Sequence, residues 1–290
     1  MRGLAELAMR GPKQAILLSV LFASIPVMFW LSAAIISLVI LRRGVDQGLK
    51  VLMWALLPGI AWAATGQYSV LMGLASTGLL AITLRATVSW QKTLLALLPI
   101  GGLMAFVLSL VAPGQVDQLA GMVMEFLTSV LKQAGKTPAD LGENLTSLVH
   151  FGVVGMLTWF NLVSCVLGLV LARSWQSLLY NPGGFQEEFH NIRFTAPLSM
   201  ALLALTLAGS KLSPFMVVLI PVASLPLFVA GLSMVHGLVG LRKMGSLPLI
   251  LFYAVVILIT QLAYPIIVLT ACLDSLFDFR KRVEQKVRQD

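Results

Sequence analysis

Long apolar segments separated by short polar ones dominate the chain. Turn-forming or charged residues flank eight such segments. They run over 14–41, 49–65, 68–84, 93–112, 148–172, 194–210, 213–241 and 248–273. A membrane-spanning helix needs about 20 mainly apolar residues, and six of the segments have the length of one crossing. The pattern therefore predicts an all-α, polytopic transmembrane helical bundle of about eight spans.

Two segments, 14–41 and 213–241, are long for a single crossing. Each has a central proline, Pro26 or Pro226, and proline removes a backbone donor and tends to kink or break a helix. Half of such a segment, about 14 residues, reaches only about 21 Å. This is shorter than the hydrocarbon core, so re-entrant halves would have to be buried among other helices. The sequence leaves both arrangements open, with 8–10 spans if the two segments are broken or re-entrant.

The distribution of basic residues distinguishes the arrangement with single crossings from the re-entrant one. With eight single crossings, 11 lysines and arginines lie on the side of the termini and 9 on the other side. With both long segments re-entrant, the split becomes 15 against 5. Cytoplasmic loops carry an excess of lysine and arginine, which favours the second arrangement. Both arrangements place the N- and C-termini in the cytoplasm of a multi-pass protein of the bacterial cytoplasmic (inner) membrane.

The composition excludes a water-soluble domain. Hydrophobic residues make up 58% of the 290 residues and charged residues only 11%, whereas soluble chains have about 25% charged residues. No alternation of the kind found in β-barrel strands is present. The net charge of +8 comes from basic residues beside apolar segments, which is typical of topology signals and not of a nucleic-acid interface. We interpret 1–290 as a single integral membrane domain that contacts the lipid bilayer and no nucleic acid.

Three polar stretches interrupt this domain. Residues 113–147 form a polar insertion in which apolar positions recur at helical spacing, and this predicts an amphipathic helical hairpin at 115–147 on the membrane surface. Residues 173–193 form a connecting loop with an Asn-Pro-Gly-Gly turn signal. Residues 274–290 form a basic cytoplasmic tail.

The 173–193 loop mixes aromatic side chains with both signs of charge. One hypothesis makes it a substrate or partner loop, and the alternative makes it a connector whose aromatic residues dock in the membrane interface. The candidate binding residues are Phe185, Glu187, Glu188, His190 and Arg193.

Ionisable residues within apolar segments are costly and often functional. His236 and Asp274 are the intramembrane polar candidates, although each could instead be satisfied locally. No spacing of histidine, cysteine or carboxylate resembles a metal site. No phosphate loop, zinc-protease motif or nucleophile elbow is present, so the sequence predicts no cofactor and no enzyme.

Ala15, Ser19 and Ala23 form a stripe of small residues at a spacing of four. Small residues let helices approach closely in lipid, so this stripe predicts a helix–helix interface.

Four places give the chain a resemblance to a known family. They are Arg42-Arg43-Gly44, the stretch 184–197, Gly231-Leu-Ser-Met-Val-His236 and the stretch 273–282. On these residues the chain resembles the YybS-like family of bacterial membrane proteins. That family is grouped by distant similarity with the substrate-binding S components of energy-coupling-factor vitamin transporters.

The resemblance implies a transport-related, substrate-binding subunit that relies on a separate membrane coupling subunit. It also implies that Ala15, Ser19 and Ala23 contact that subunit. The alternative hypothesis is a membrane scaffold or regulatory protein without a small-molecule substrate, which would bind other membrane or cytoplasmic proteins.

Overall fold

The computed structural model describes residues 2–142 and 144–287, and these residues are almost entirely helical. Six of the described helical stretches are long and apolar enough to cross a membrane. The helices are α1 (Arg2–Arg10), α2 (Pro12–Ala23), α3 (Phe29–Arg43), α4 (Val45–Ala64), α5 (Ser69–Thr87), α6 (Trp90–Leu95), α7 (Leu97–Val111), α8 (Pro113–Gln133), α9 (Leu145–Tyr180), α10 (Gly184–His190), α11 (Ala196–Leu212), α12 (Leu219–Leu241), α13 (Leu247–Leu258), α14 (Thr260–Phe277) and α15 (Phe279–Val287). Short 3-10 helices cover Pro26–Met28, Pro138–Leu141 and Pro214–Val218.

The first long apolar segment is broken at its proline. Ile25 is extended, with φ −112° and ψ 107°, as expected for a residue before proline. Pro26 then begins a 3-10 turn that leads into α3. The indole N–H of Trp62 donates to the carbonyl oxygen of Ser24 at 3.2 Å. This bond from α4 satisfies a carbonyl at the end of α2, so the break has a partner for its exposed backbone.

Helix α3 returns to the end from which α2 started. The Arg43 guanidinium donates to the carbonyl oxygen of Met9, which lies just before α2. Residues 32–41 of α3 are all buried, and the helix packs against α2, α4, α5 and α9. A short helix in a membrane must be enclosed by protein in this way.

The second long segment behaves differently. Pro226 lies inside α12, which continues from Leu219 to Leu241 without a break. The Ser224 hydroxyl donates to the carbonyl oxygen of Pro221 at 2.8 Å. Residues 213–241 therefore traverse the bundle once, and only the first of the two proline-containing segments forms a hairpin.

The last apolar segment also differs from the single crossing that the sequence predicts. The helix is interrupted at Ile259, with φ −127° and ψ 44°, which separates α13 from α14. The two ends of this segment lie close together, because Gly240 packs against His190 and Arg280 donates to the His190 carbonyl oxygen. Helix α13 has 12 residues, about 18 Å. It is therefore the short arm of a second helical hairpin.

These paths define two ends of the bundle. One end, here called the basic end, holds α1, α10 and α15 together with the α3–α4, α5–α6 and α12–α13 connections. The opposite end, here called the far end, holds the α4–α5 turn, α8 and the α11–α12 connection. Both the first and the last described helices lie at the basic end.

The outer surface of the bundle is apolar. Large apolar side chains on most of the helices are exposed, as expected for a surface that faces lipid. Examples are Leu17, Trp54, Ile60, Leu103, Phe106, Phe160, Leu207, Leu251, Ile257 and Ile266. The described chain is thus a membrane-embedded helical bundle.

The 113–147 insertion is one amphipathic helix and not a hairpin of two. Helix α8 exposes Met122, Phe126 and Val130 along one face and packs its other side on α9. The predicted second arm is a single 3-10 turn, Pro138–Leu141, after which α9 begins. The prediction of a second surface helix was wrong because the helix-start signal at Thr137-Pro138 begins only this single 3-10 turn.

Candidate functional site

The predicted loop at 173–193 is mostly helical and is held to the bundle by an ion pair. Helix α9 extends to Tyr180, and Gly183, with φ +89°, makes the turn into α10. The Arg173 guanidinium pairs with the Glu188 carboxylate, with Nε at 2.9 Å from Oε2. The indole of Trp90 donates to the same carboxylate at 3.2 Å. Glu188 therefore joins α6, α9 and α10.

Aromatic rings hold the other face of α10. The Phe185 ring lies 6.0 Å from that of Trp90, and the Phe189 ring lies 5.3 Å from that of His236. His236 in turn shares a hydrogen bond of 2.8 Å with the Tyr253 hydroxyl of α13. His236, one of the two predicted intramembrane polar residues, therefore links α10, α12 and α13.

Asp274, the second predicted intramembrane polar residue, lies at the centre of a buried network of hydrogen bonds. Its carboxylate is 1% exposed and accepts from the Arg280 guanidinium at 2.8 and 3.1 Å. Arg280 also donates to the carbonyl oxygens of His190 and Ile192, at 2.5 and 3.0 Å. The Ser233 hydroxyl donates to the Ile192 carbonyl at 3.0 Å. This network ties α10, α12, α14 and α15 together at the basic end.

Two titratable groups beside this network have shifted pKa values. Burial acts to raise the pKa of Asp278, but hydrogen bonds from Arg193 and the Lys281 amide lower it below its usual value overall. Arg193 lies 2.5 Å from this carboxylate. Burial, followed by the positive charge of Arg280, lowers the pKa of His190. Both shifts favour Asp278 ionised and His190 neutral in the folded protein.

A polar cavity of about 770 Å³ lies beside these residues at the basic end. Of the predicted loop residues, Glu187, His190 and Arg193 line it, whereas Phe185 and Glu188 face the bundle. Most of the loop candidates therefore make contacts within the chain, and Glu187 is the exposed one. These contacts hold the helix ends together, and the cavity forms a polar recess in the surface of the protein.

The small-residue stripe lies inside the chain's own packing. Ala15, Ser19 and Ala23 are at most 1% exposed, and α2 packs against α3 and α4. The helix–helix interface at these residues is therefore between helices of this chain. In this structure the stripe is not open to a coupling subunit, contrary to what the resemblance implies.

A second cavity, here called the far-end cavity, has a volume of about 270 Å³ and lies between the α4–α5 turn, α7, α8 and α9. Its mouth is at the turn, where the Gln115 side chain donates to the Gly66 carbonyl oxygen at 2.7 Å. It is lined by Gly66, Gln67, Tyr68, Ser69, Met72, Met104, Leu108, Gln115, Leu157, Thr158 and Asn161. The cavity therefore combines amides, hydroxyls and apolar side chains.

Two polar residues of α9 form its inner wall. Thr158 is 1% exposed, and its hydroxyl has no hydrogen-bond partner within 2–142 and 144–287. Asn161, 7% exposed, donates from its amide to the Ser69 carbonyl oxygen at 3.0 Å. The sequence reading missed both because it considered ionisable residues alone. Their signal was a spacing of three within an apolar run, which puts both on one face of α9.

A third cavity, of about 510 Å³, opens sideways between α9, α11, α12 and α14. Its walls are almost wholly apolar. The Tyr264 hydroxyl in its wall accepts from the Trp159 indole at 3.1 Å and bonds with Ser224 at 2.7 Å. These polar groups satisfy one another, so the cavity suits hydrocarbon and does not distinguish a substrate from bilayer lipid.

Within residues 2–142 and 144–287, no three histidine, cysteine, aspartate or glutamate side chains lie together as a metal site requires. Cys165 and Cys272 are buried and free. The comparisons with known proteins found no matching family model, no similar curated protein and no similar solved structure.

Proposed function

We propose that the protein is a transport-related membrane protein that captures a small molecule in the far-end cavity. The observation that carries this proposal is a recess, part polar and part apolar, that reaches from the α4–α5 turn to Thr158 inside the bundle. Binding sites for small molecules are concave, mostly apolar and equipped with a few polar groups. A scaffold that only holds other proteins together has no need of such a recess.

The distribution of charge supports an outward-facing cavity. Lys132, Lys136 and Lys211 lie at the far end, whereas the other lysines and arginines that the structure describes lie at or near the basic end. The positive-inside rule then assigns the basic end, with the first and last described helices, to the cytoplasm of a bacterial cytoplasmic membrane. The far-end cavity faces the exterior, from which a substrate is captured.

A native mass spectrum of gently purified protein tests this function. We expect a co-purifying small molecule bound in a ratio of one to one. A Ser69→Trp variant, which fills the mouth of the cavity, should lose that molecule. A Leu103→Trp variant should keep it, because Leu103 faces lipid and is 59% exposed. If the wild-type protein carries nothing except lipid and detergent, the proposal is wrong.

The second candidate function is a scaffold that binds a cytoplasmic protein at the basic end. The polar cavity beside α10, with Glu187 exposed on its rim, favours it. Photo-crosslinking from position 187 in whole cells separates the two functions. Recovery of a protein partner supports the scaffold, and recovery of lipids alone counts against it.

A further inference from the structure

The far-end cavity has no charged lining. Within the described chain, no lysine, arginine, histidine, aspartate or glutamate lines it, and its polar groups are amides and hydroxyls. An ion that enters such a site loses hydration and meets no full opposite charge. The partial positive charge at the N-termini of α5 and α8 offsets only a small part of that loss for an anion. The cavity therefore disfavours both anions and cations.

The inner wall includes a hydroxyl with unused hydrogen-bonding capacity. In the described part of the chain the buried Thr158 hydroxyl has no hydrogen-bond partner, whereas most buried polar groups in folded proteins are hydrogen-bonded. The amide nitrogen of its neighbour Asn161 is already held by Ser69. The Thr158 side chain lines the cavity, and rotation of its covered hydroxyl toward the cavity would let a ligand's donor or acceptor satisfy it.

The middle of the cavity is apolar and adaptable. Met72, Met104 and Leu108 form its wall, and the Tyr68 ring lies near its mouth. Thioether sulfurs make favourable contacts with aromatic rings, and flexible methionine side chains adjust to a ring's shape. The volume of about 270 Å³ equals that of about nine water molecules in the liquid, so only a small ligand fits.

Building on the function proposed above, we infer that the substrate is a small, uncharged ring compound with a hydroxyl or amide group. The ring packs between Met72 and Met104, and the polar group hydrogen-bonds with Thr158. The glutamine amides at the mouth contact whatever polar group the ring carries on its other side.

Binding of matched probes to the full-length protein in nanodiscs tests this substrate class. Benzamide and benzyl alcohol are uncharged, whereas benzoate and benzylammonium have a similar size and carry a charge. Saturation-transfer NMR titrations should show the uncharged probes binding at least about tenfold more tightly, because the site cannot compensate a charge. Equal binding of the charged probes overturns the inference, and so does the failure of both uncharged probes to bind.

Variants at Thr158 test the contact itself. Thr158→Val should weaken benzamide binding about tenfold through loss of one hydrogen bond, and Thr158→Ser, which keeps the hydroxyl, should restore it. Thr83→Val is the matched control, because the Thr83 hydroxyl bonds within α5 to Leu79. If Thr158→Val binds benzamide as the wild type does, the assigned contact is wrong. The mass spectrum described above still decides the proposed function independently.

Discussion

At the scale of single residues, the ionisable groups at the basic end have structural roles that their positions in the sequence do not show. Asp274 was a candidate because a carboxylate in an apolar segment is costly. Its partner Arg280, only six residues later, is 11% exposed and bridges two backbone carbonyls as well. The contact with α10 depends on tertiary packing across 90 residues, so sequence spacing alone could not show it.

Replacement of Arg280 should destabilise the protein strongly. In Arg280→Ala the buried Asp274 carboxylate loses its charge partner, and such a loss costs about 3–5 kcal/mol. Arg282→Ala is the control, since that guanidinium lies over the Phe277 ring at 5.9 Å from its centre and should matter little. Thermal unfolding in detergent measures both. A Tm for Arg280→Ala equal to that of Arg282→Ala would refute the network's contribution.

The hydroxyl of Thr158 predicts an unusual stability effect. Because this buried group has no hydrogen-bond partner among the residues that the structure describes, its removal in Thr158→Val should leave the free energy of unfolding unchanged or raise it. Thr77→Val should instead lower it by about 1 kcal/mol, since the Thr77 hydroxyl donates to the Gly73 carbonyl oxygen at 2.7 Å. Denaturation curves without ligand compare the two variants, and a marked loss in Thr158→Val would contradict the assignment.

His190 makes stability depend on pH. Its pKa in the folded protein is below the usual 6.5, so folding favours the neutral ring. The resulting stabilisation is present above pH 6.5 and is lost as the pH falls through the folded-state pKa. Between pH 7.5 and pH 5.5 the Tm of the wild type should fall more than that of His190→Gln. Identical slopes in the two proteins would show that His190 does not contribute.

At the scale of helices, two similar sequences have different structures. Ser24-Ile-Pro26 and Ser224-Leu-Pro226 have the same local pattern, and proline can either break or only bend a helix. The Trp62 indole donates a hydrogen bond to the Ser24 carbonyl oxygen, which offsets part of the free-energy cost of the first break. Pro226 lies in the buried stretch of α12 beside α14. The sequence predicted a disturbance at both prolines, and tertiary contacts determine which one breaks.

Close packing of α12 on α14 depends on Gly231. A Cβ atom at this position would lie 2.5 Å from the Ile267 carbonyl oxygen. Gly231→Ala should therefore push the helices apart and cost about 1–3 kcal/mol. Gly102→Ala on α7 is the control, because no atom lies within 4 Å of its added Cβ. Equal thermal stability of the two variants would show that the α12–α14 contact tolerates separation.

At the scale of the whole molecule, the sequence predicted the helical membrane bundle, and six candidate spans confirm that class of fold. The exact path of the chain was less accessible. The sequence left open whether 14–41 and 213–241 cross once or enter and return. In the structure the first segment is broken and the second is continuous. It also breaks the segment 248–273 at Ile259, where no proline or charge marks the position.

This path separates charge more completely than either arrangement derived from the sequence. Among the described residues, Lys132, Lys136 and Lys211 are the basic ones at the far end, fewer than the 5 of the re-entrant arrangement. The orientation proposed above therefore requires that α2–α3 and α13–α14 are hairpins that start and end on the cytoplasmic side. The outward direction of the far-end cavity follows from it.

Cysteine labelling with a membrane-impermeant maleimide tests this claim most directly. Asp46 lies in the first turn of α4 and Met244 in the α12–α13 connection, both at the basic end, and Lys136 lies at the far end, so we choose these three positions for substitution by cysteine. In a background without the native cysteines, positions 46 and 244 should react only in inside-out vesicles, and position 136 should react in intact cells. Labelling of position 46 or position 244 from outside intact cells would contradict the hairpins and the orientation proposed for the cavity.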